Sequence, residues 1–103
     1  MKKIIDGKRY DTDTATMIAS DQSRHNSSDF HWWEETLYRT PNGNWFLFGE
    51  GGAASKYARP CDSGRIGGED LAPMTTDEAY EWCERHDQIE VIERHFPDRV
   101  QDA

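Results

Sequence analysis

Four groups of side chains in this 103-residue chain have types and spacings that invite chemistry. The first is Gly49-Glu50-Gly51-Gly52-Ala53-Ala54-Ser55-Lys56, which has the glycine content of a phosphate-binding loop. It lacks the order Gly-Lys-Ser/Thr that puts a lysine on the phosphates, because Lys56 follows Ser55. As Gly-x-Gly-x-x-Ala it matches a dinucleotide fingerprint only superficially, since the strand before it belongs to an antiparallel hairpin and not to a βαβ unit. These glycines are better read as ending a strand and letting the backbone pass closely over an aromatic face. The second group is Cys83-x-x-His86, which Cys61 and His95 can complete on paper as a tetrahedral zinc set. The spacing is not that of a closed zinc site, and Cys83 and His86 both fit an inward helix stripe, so no metal or other cofactor is expected. The third is His31 with Glu34 and Glu35, an acid–base pairing by residue type. No nucleophile accompanies it, and on a strand His31 and Glu34 point to opposite faces, so no catalytic residue is assigned.

The fourth group is acidic: Asp77, Glu78, Glu81, Glu84, Glu90 and Glu93. Structural reasons cover part of it. Asp77 and Glu78 suit the positive end of a helix, Glu90 reads as a capping partner, and Glu81–Arg85 and Glu90–Arg94 are spaced to pair at i, i+4. The excess, chiefly Glu81, Glu84 and Glu93, has no such reason. It marks either a solvated helix face or a surface for a basic partner, and these six residues are the candidate partner-binding site.

Two helices must carry these acids. Thr75 and Glu78 form a capping box before Ala79, Trp82, Cys83 and His86, which recur at i, i+3, i+4, i+7 and predict an inward stripe. Asp87-Gln88-Ile89-Glu90 repeats the capping pattern and predicts a second helix with Ile89, Val91, Ile92 and Phe96 apolar, ending before Pro97, with a frayed tail over 98–103. The surface they cover is the hairpin 35–49. Pro41-Asn42-Gly43 fits a turn whose third residue is left-handed, which pairs Thr40 with Asn44, Tyr38 with Phe46 and Leu37 with Leu47. One face then holds Thr36, Tyr38, Phe46 and Phe48, the other Leu37, Trp45 and Leu47, so the hairpin is central and covered on both sides. Lys2–Tyr10 predicts a tight hairpin turning at Asp6-Gly7, Asp11–Ala15 and Ala53–Tyr57 short helical turns, and Met17–Ser20 a strand. Residues 21–29 and 59–68 read as exposed loops. Phe30–Trp33 is expected to cover one face of the hairpin, and Leu71–Met74 is extended, held to an edge or an unpaired role by Pro73. The fold class is α+β: a central antiparallel sheet under two C-terminal helices, in one domain spanning 1–103.

The net charge is −8, and it is segregated. Residues 1–60 hold eight basic and eight acidic residues, whereas 61–103 hold four and twelve. This balance opposes direct nucleic-acid binding, which calls for a basic surface. It suits a basic partner or a solubilising face. The longest apolar runs are too short for a membrane span or a signal sequence, which points to a cytoplasmic protein with Cys61 and Cys83 reduced.

Lys2–Ala15 resembles the opening of a family of small proteins carried by prophages, plasmids and conjugative elements of Gram-positive bacteria. The pieces Glu35-Thr36-Leu37-Tyr38, Trp45-Phe46-Leu47, Gly49-Glu50-Gly51-Gly52, Lys56-Tyr57, Glu78-Ala79 with Trp82, and Asp102-Ala103 are similar as well. The likeness covers nearly the whole chain, with Ala53-Ala54 standing where many relatives place Pro-Met. Some members of that family are anti-CRISPR proteins directed at type II-A effectors. The resemblance therefore implies an inhibitor, a nucleic-acid mimic by charge, that binds a CRISPR effector through its acidic surface. The competing expectations are a small nuclease acting on guide RNA and an accessory or regulatory protein of the mobile element.

Overall fold

The computed structural model describes residues 1–103. Its centre is a four-stranded antiparallel sheet of β3 (Thr16–Gln22), β4 (Trp33–Arg39), β5 (Trp45–Gly51) and β8 (Gly68–Met74), in the order β3-β4-β5-β8. The β4–β5 register pairs Tyr38 with Phe46 and Leu37 with Leu47. The turn between them closes with Gly43 N–H on the Thr40 carbonyl at 2.9 Å and Thr40 N–H on Asn44 at 2.7 Å. Gly43 has φ +86°, the left-handed residue the turn requires. Both faces of the hairpin are covered, as the pattern predicts.

On one face lie α1 (Thr76–Arg85) and α2 (Ile89–His95), closing a core of Leu37, Trp45, Leu47, Ala79, Trp82, Cys83, Ile92 and Phe96. Thr75 accepts from the Glu78 N–H and Glu78 from the Thr75 N–H, so the capping box forms. A bulge in β3 between Met17 and Ala19 turns Ile18 and Ala19 both toward the helices. On the other face sits the hairpin of β1 (Lys2–Ile5) and β2 (Lys8–Asp11), which turns at Asp6 (φ +52°) and Gly7 (φ +77°). It seals a second core of Tyr10, Phe46 and Leu71, with Tyr38 stacked on Phe46 at 5.1 Å.

Several expectations need correction. Residues 59–68 are not a plain loop: β6 (Arg59–Cys61) and β7 (Gly64–Ile66) form an exposed hairpin turning through Asp62-Ser63. Asp87 does not cap α2. It adopts φ +54° and ends α1, so that Gln88 N–H reaches the Cys83 carbonyl at 2.9 Å and Asp87 N–H reaches that of Glu84. This is the Schellman arrangement, with Asp in the place that glycine usually takes. Phe30 covers nothing, being 70% exposed. The 98–103 tail begins in order, as a 3-10 turn over Pro97–Arg99 tied down by Arg99 on Asp77 at 2.5 Å. In place of the single helical turn expected over Ala53–Tyr57, the chain makes two successive tight turns, closed by Ser55 N–H on the Gly52 carbonyl at 3.0 Å and Ala58 N–H on that of Ser55 at 3.1 Å.

Both sheet edges are sealed by one device. On β8, Asp70 takes the Leu71 N–H at 2.8 Å, Arg59 reaches the Glu69 carbonyl, and Pro73 has no N–H to offer. On β3, Asp21 takes the Gln22 N–H at 2.8 Å and Gln88 donates to the Ser20 carbonyl at 3.1 Å. In each case side chains occupy the outward backbone groups on either side of an aspartate, groups that otherwise invite another strand. No helix is long and apolar enough to cross a membrane.

Candidate functional site

The six acids of the two helices are all exposed, but they do not behave alike. Asp77 pairs with Arg99, Glu78 is the capping partner, and Glu84 accepts from the Tyr80 hydroxyl at 2.7 Å. Glu81, Glu90 and Glu93 have no hydrogen-bond or cation partner, and the expected Glu81–Arg85 and Glu90–Arg94 pairs are not formed. Asp77, Glu81 and Glu84, spaced by four and three residues, share the outer face of α1 opposite the buried stripe. Glu84 and Glu93 meet across a groove of about 380 Å³ between α1, α2 and the C-terminal segment, together with Tyr80, Ile89 and Val100. The structure thus brings Asp77, Glu81, Glu84 and Glu93 into one field, with Asp77 also tied to Arg99, while Glu78 serves the helix cap and Glu90, exposed on α2, lies outside the groove.

A second site was not assigned from the sequence, and it centres on Glu35. This residue lies two positions before Leu37, hence on the helix-covered face, and is 2% exposed. Trp82 Nε1–H donates to its Oε1 at 3.0 Å. The other oxygen takes the Tyr57 hydroxyl and the Lys56 ammonium, the latter at 2.5 Å. His86 brings Nε2 to 3.7 Å from Oε1 and Nδ1 to 2.7 Å from Asp21. Asp21 stands directly opposite Glu35 in the β3–β4 register, so the imidazole separates two like charges. Gly49 is the cross-strand neighbour on the other side, and a Cβ there would overlap the Tyr57 ring. Its missing side chain is what lets the 52–58 turn lie on the sheet and reach Glu35. The reading of these glycines as a close-approach device holds.

Burial pushes the Glu35 carboxyl up, but the bonds from Lys56, Tyr57 and Trp82 outweigh it and hold it below the ordinary glutamate range. Burial and the Glu35 charge push the Tyr57 phenol well up. Both Glu35 oxygens are engaged and the group stays ionised, which fits a fastening point better than a general base tuned near neutrality. His31 does not join Glu34 or Glu35 as an acid–base pair. It bonds Asp29, whose carboxylate lies 3.3 Å from His31 Nδ1, and Glu34 faces the opposite side of the sheet. The four candidate zinc ligands are scattered. Cys61 sits on the exposed hairpin and Cys83 in the core, where burial pushes its thiol to about 11. His86 is engaged as above and His95 stands edge-on to Trp45. No three of the His, Cys, Asp and Glu side chains are placed to hold a metal ion.

Beside Glu35 opens a cavity of about 510 Å³ between the C-terminal end of α1 and the 52–58 turn. Leu47 and Met74 line it together with Trp33 and Trp82, and Lys56, Arg85 and His31 also contribute to its wall. The sequence carried one signal for this site, a glutamate at a buried position of an apolar strand face. Its partners come from segments 14 to 51 residues away, which periodicity does not connect. Compared with protein-family models, curated proteins and solved structures, the chain matches none of them.

Proposed function

We propose that this protein is a binding inhibitor, not an enzyme, and that the outer acidic field of its two C-terminal helices docks on the basic nucleic-acid surface of a CRISPR effector. The observation that carries the reading is the unpaired state of Glu81, Glu90 and Glu93, when Arg85 and Arg94 stand one turn away from Glu81 and Glu90. Carboxylates left without cations keep their full field for a partner. The choice of partner rests on the resemblance of the sequence to mobile-element proteins and on charge. A CRISPR effector holds guide and target in positively charged channels, where an acidic protein competes with nucleic acid. Against the nuclease reading, Glu35 and His86 have their polar atoms turned to one another or to Asp21, Lys56, Tyr57 and Trp82. Ser55, which lies in the wall of the adjoining cavity, donates its hydroxyl to the Gly52 carbonyl at 2.7 Å.

The test is the triple variant Glu81→Lys, Glu84→Lys, Glu93→Lys, which leaves the inward stripe of α1 untouched. Binding to a purified type II-A effector, with and without guide, is measured at two ionic strengths. The parent should saturate near one to one, and the variant should lose at least about tenfold in affinity, more at low salt than at high. Equal affinity for the two proteins, both folded by circular dichroism, overturns the acidic-face reading. Loss of effector function at substoichiometric protein points instead to an enzyme.

A further inference from the structure

We infer that the cavity between the end of α1 and the 52–58 turn is a binding site for a small aromatic oxyanion, a flat ring bearing a carboxylate or phosphate. The site shares no residue with the acidic field and does not depend on the effector reading. Its volume, about 510 Å³, is in the range of small-molecule sites. Its apolar lining, Trp33 with Leu47 and Met74, offers a ring contact surface.

The polar groups select the sign of the ligand. Arg85 is the informative one. Glu81 lies one turn before it and is free, yet Arg85 does not pair with it; it lies in the cavity wall instead, with no hydrogen bond or ion pair of its own. Lys56 is the second cation. One of its bonds goes to Glu35, and its side chain remains 67% exposed, so its other N–H groups face outward. Glu35 is the one carboxylate in the lining, and its two oxygens are already taken by Trp82, Tyr57 and Lys56. A cationic ligand would meet Lys56 before it met Glu35. An oxyanion would meet two cations, one of them unpaired, in a chain whose net charge is −8. Guanidinium and ammonium groups both form charge-assisted bonds to carboxylate and phosphate, and the guanidinium does so in a bidentate fork.

The experiment follows the indole N–H resonances of the full chain in ¹H–¹⁵N spectra at fixed ionic strength. The probes are benzoate and phenyl phosphate, which tell the two head groups apart, with inorganic phosphate and benzylammonium as controls. One or both aryl anions should shift the Trp33 and Trp82 indoles saturably and leave Trp45, which packs under α2, in place. Arg85→Gln, a change at an exposed position, should weaken that binding about tenfold, the loss of one charge-assisted contact. Inorganic phosphate should bind at least about tenfold more weakly for want of the ring. The proposal is overturned if neither aryl anion saturates up to ~10 mM, a range that covers weak ligands. It is equally overturned if benzylammonium binds as tightly, if inorganic phosphate matches phenyl phosphate, or if Arg85→Gln titrates like the parent while remaining folded.

Discussion

Two cross-strand rows run side by side through the sheet, one residue apart, on opposite faces. The helix-side row is Asp21–Glu35–Gly49–Asp70 and the hairpin-side row is Gln22–Glu34–Glu50–Glu69. Each contains three carboxylates. In the first, every acid has a partner: His86 for Asp21, Lys56, Tyr57 and Trp82 for Glu35, and Lys3 for Asp70 at 2.5 Å. In the second, Glu34, Glu50 and Glu69 stand next to one another and none has a cation. The difference appears in the two central residues. The Glu35 carboxyl is held below the ordinary value and that of Glu50 is raised, by burial and by the Glu34 and Glu69 charges. The same side chain in consecutive rows is a fastener in one and a repelling charge in the other. What separates them is the identity of the covering layer. The helices and the 52–58 turn bring donors to Glu35, whereas the β1–β2 hairpin brings Tyr10 to Phe46 and sends Lys3 to Asp70 on the edge strand, but stops short of the glutamates.

The comparison can be broken most forcefully at Trp82. This residue is 1% exposed, fills the space between α1 and β4, and donates to Glu35. Trp82→Ala removes a buried indole and one bond of the helix-side row together, and should cost about 3–5 kcal/mol of unfolding free energy in urea titration. A variant that unfolds at the parental midpoint would show that the helix-side layer does not depend on this contact.

Next in size is Glu35→Gln. The amide keeps the volume and can still accept one hydrogen bond, but it gives up the charge that Lys56 answers. A cost of about 2 kcal/mol at neutral pH is expected, the scale of charge-assisted bonds lost in a buried setting. The pH dependence has a fixed sign. A carboxyl depressed on folding contributes stability that is present above its unfolded value, near 4.5, and is lost as pH falls through the lower folded value. The parent should therefore shed this contribution in acid, while the variant has none to shed. Parallel stability–pH curves below 4.5 would contradict the depressed Glu35.

How much of this was legible in the sequence follows from the reach of each determinant. The β4–β5 register, the Asp6-Gly7 turn, the Thr75 capping box and the Trp82 stripe are specified by residues within about two turns of one another, and all four appear as predicted. Asp87 misled because its position suits a helix start as well as a helix end. The Cys83 carbonyl, in need of a donor, decides for the end. The hairpin at 59–66 lacks any apolar alternation, its residues all being exposed, so the pattern that announces a strand is absent. The Glu35 site is the deepest omission. Its partners Asp21, Lys56, Tyr57, Trp82 and His86 are scattered along the chain and meet only after the sheet and helices are assembled. A glutamate in phase with Leu37 on a buried face was the visible violation, and such violations mark either a site or a buried network. Here the glutamate marks a network with a cavity at its side.

The smallest effect is the most discriminating, because its sign is opposite. Glu50→Gln takes one charge from the hairpin-side row and leaves its shape intact. Like charges directly across neighbouring strands are destabilising, and the gain from removing one should be about 0.5 kcal/mol at neutral pH. The parental Glu50 has a folded value above 4.5, so it binds its proton more readily in the folded state than in the unfolded one. The penalty is therefore fully present at neutral pH and relieved as pH falls through the raised value, reaching its end near 4.5, where the unfolded group also protonates. The advantage of Glu50→Gln over the parent should shrink across that interval, while the deficit of Glu35→Gln persists through it and closes only in stronger acid. Measuring the three proteins by urea unfolding at a series of pH values puts both rows on one plot. If Glu50→Gln is destabilising at neutral pH, or if its difference from the parent does not change with pH, the three glutamates are not repelling one another. The contrast between the two faces would then reduce to hydrogen bonding at Glu35 alone.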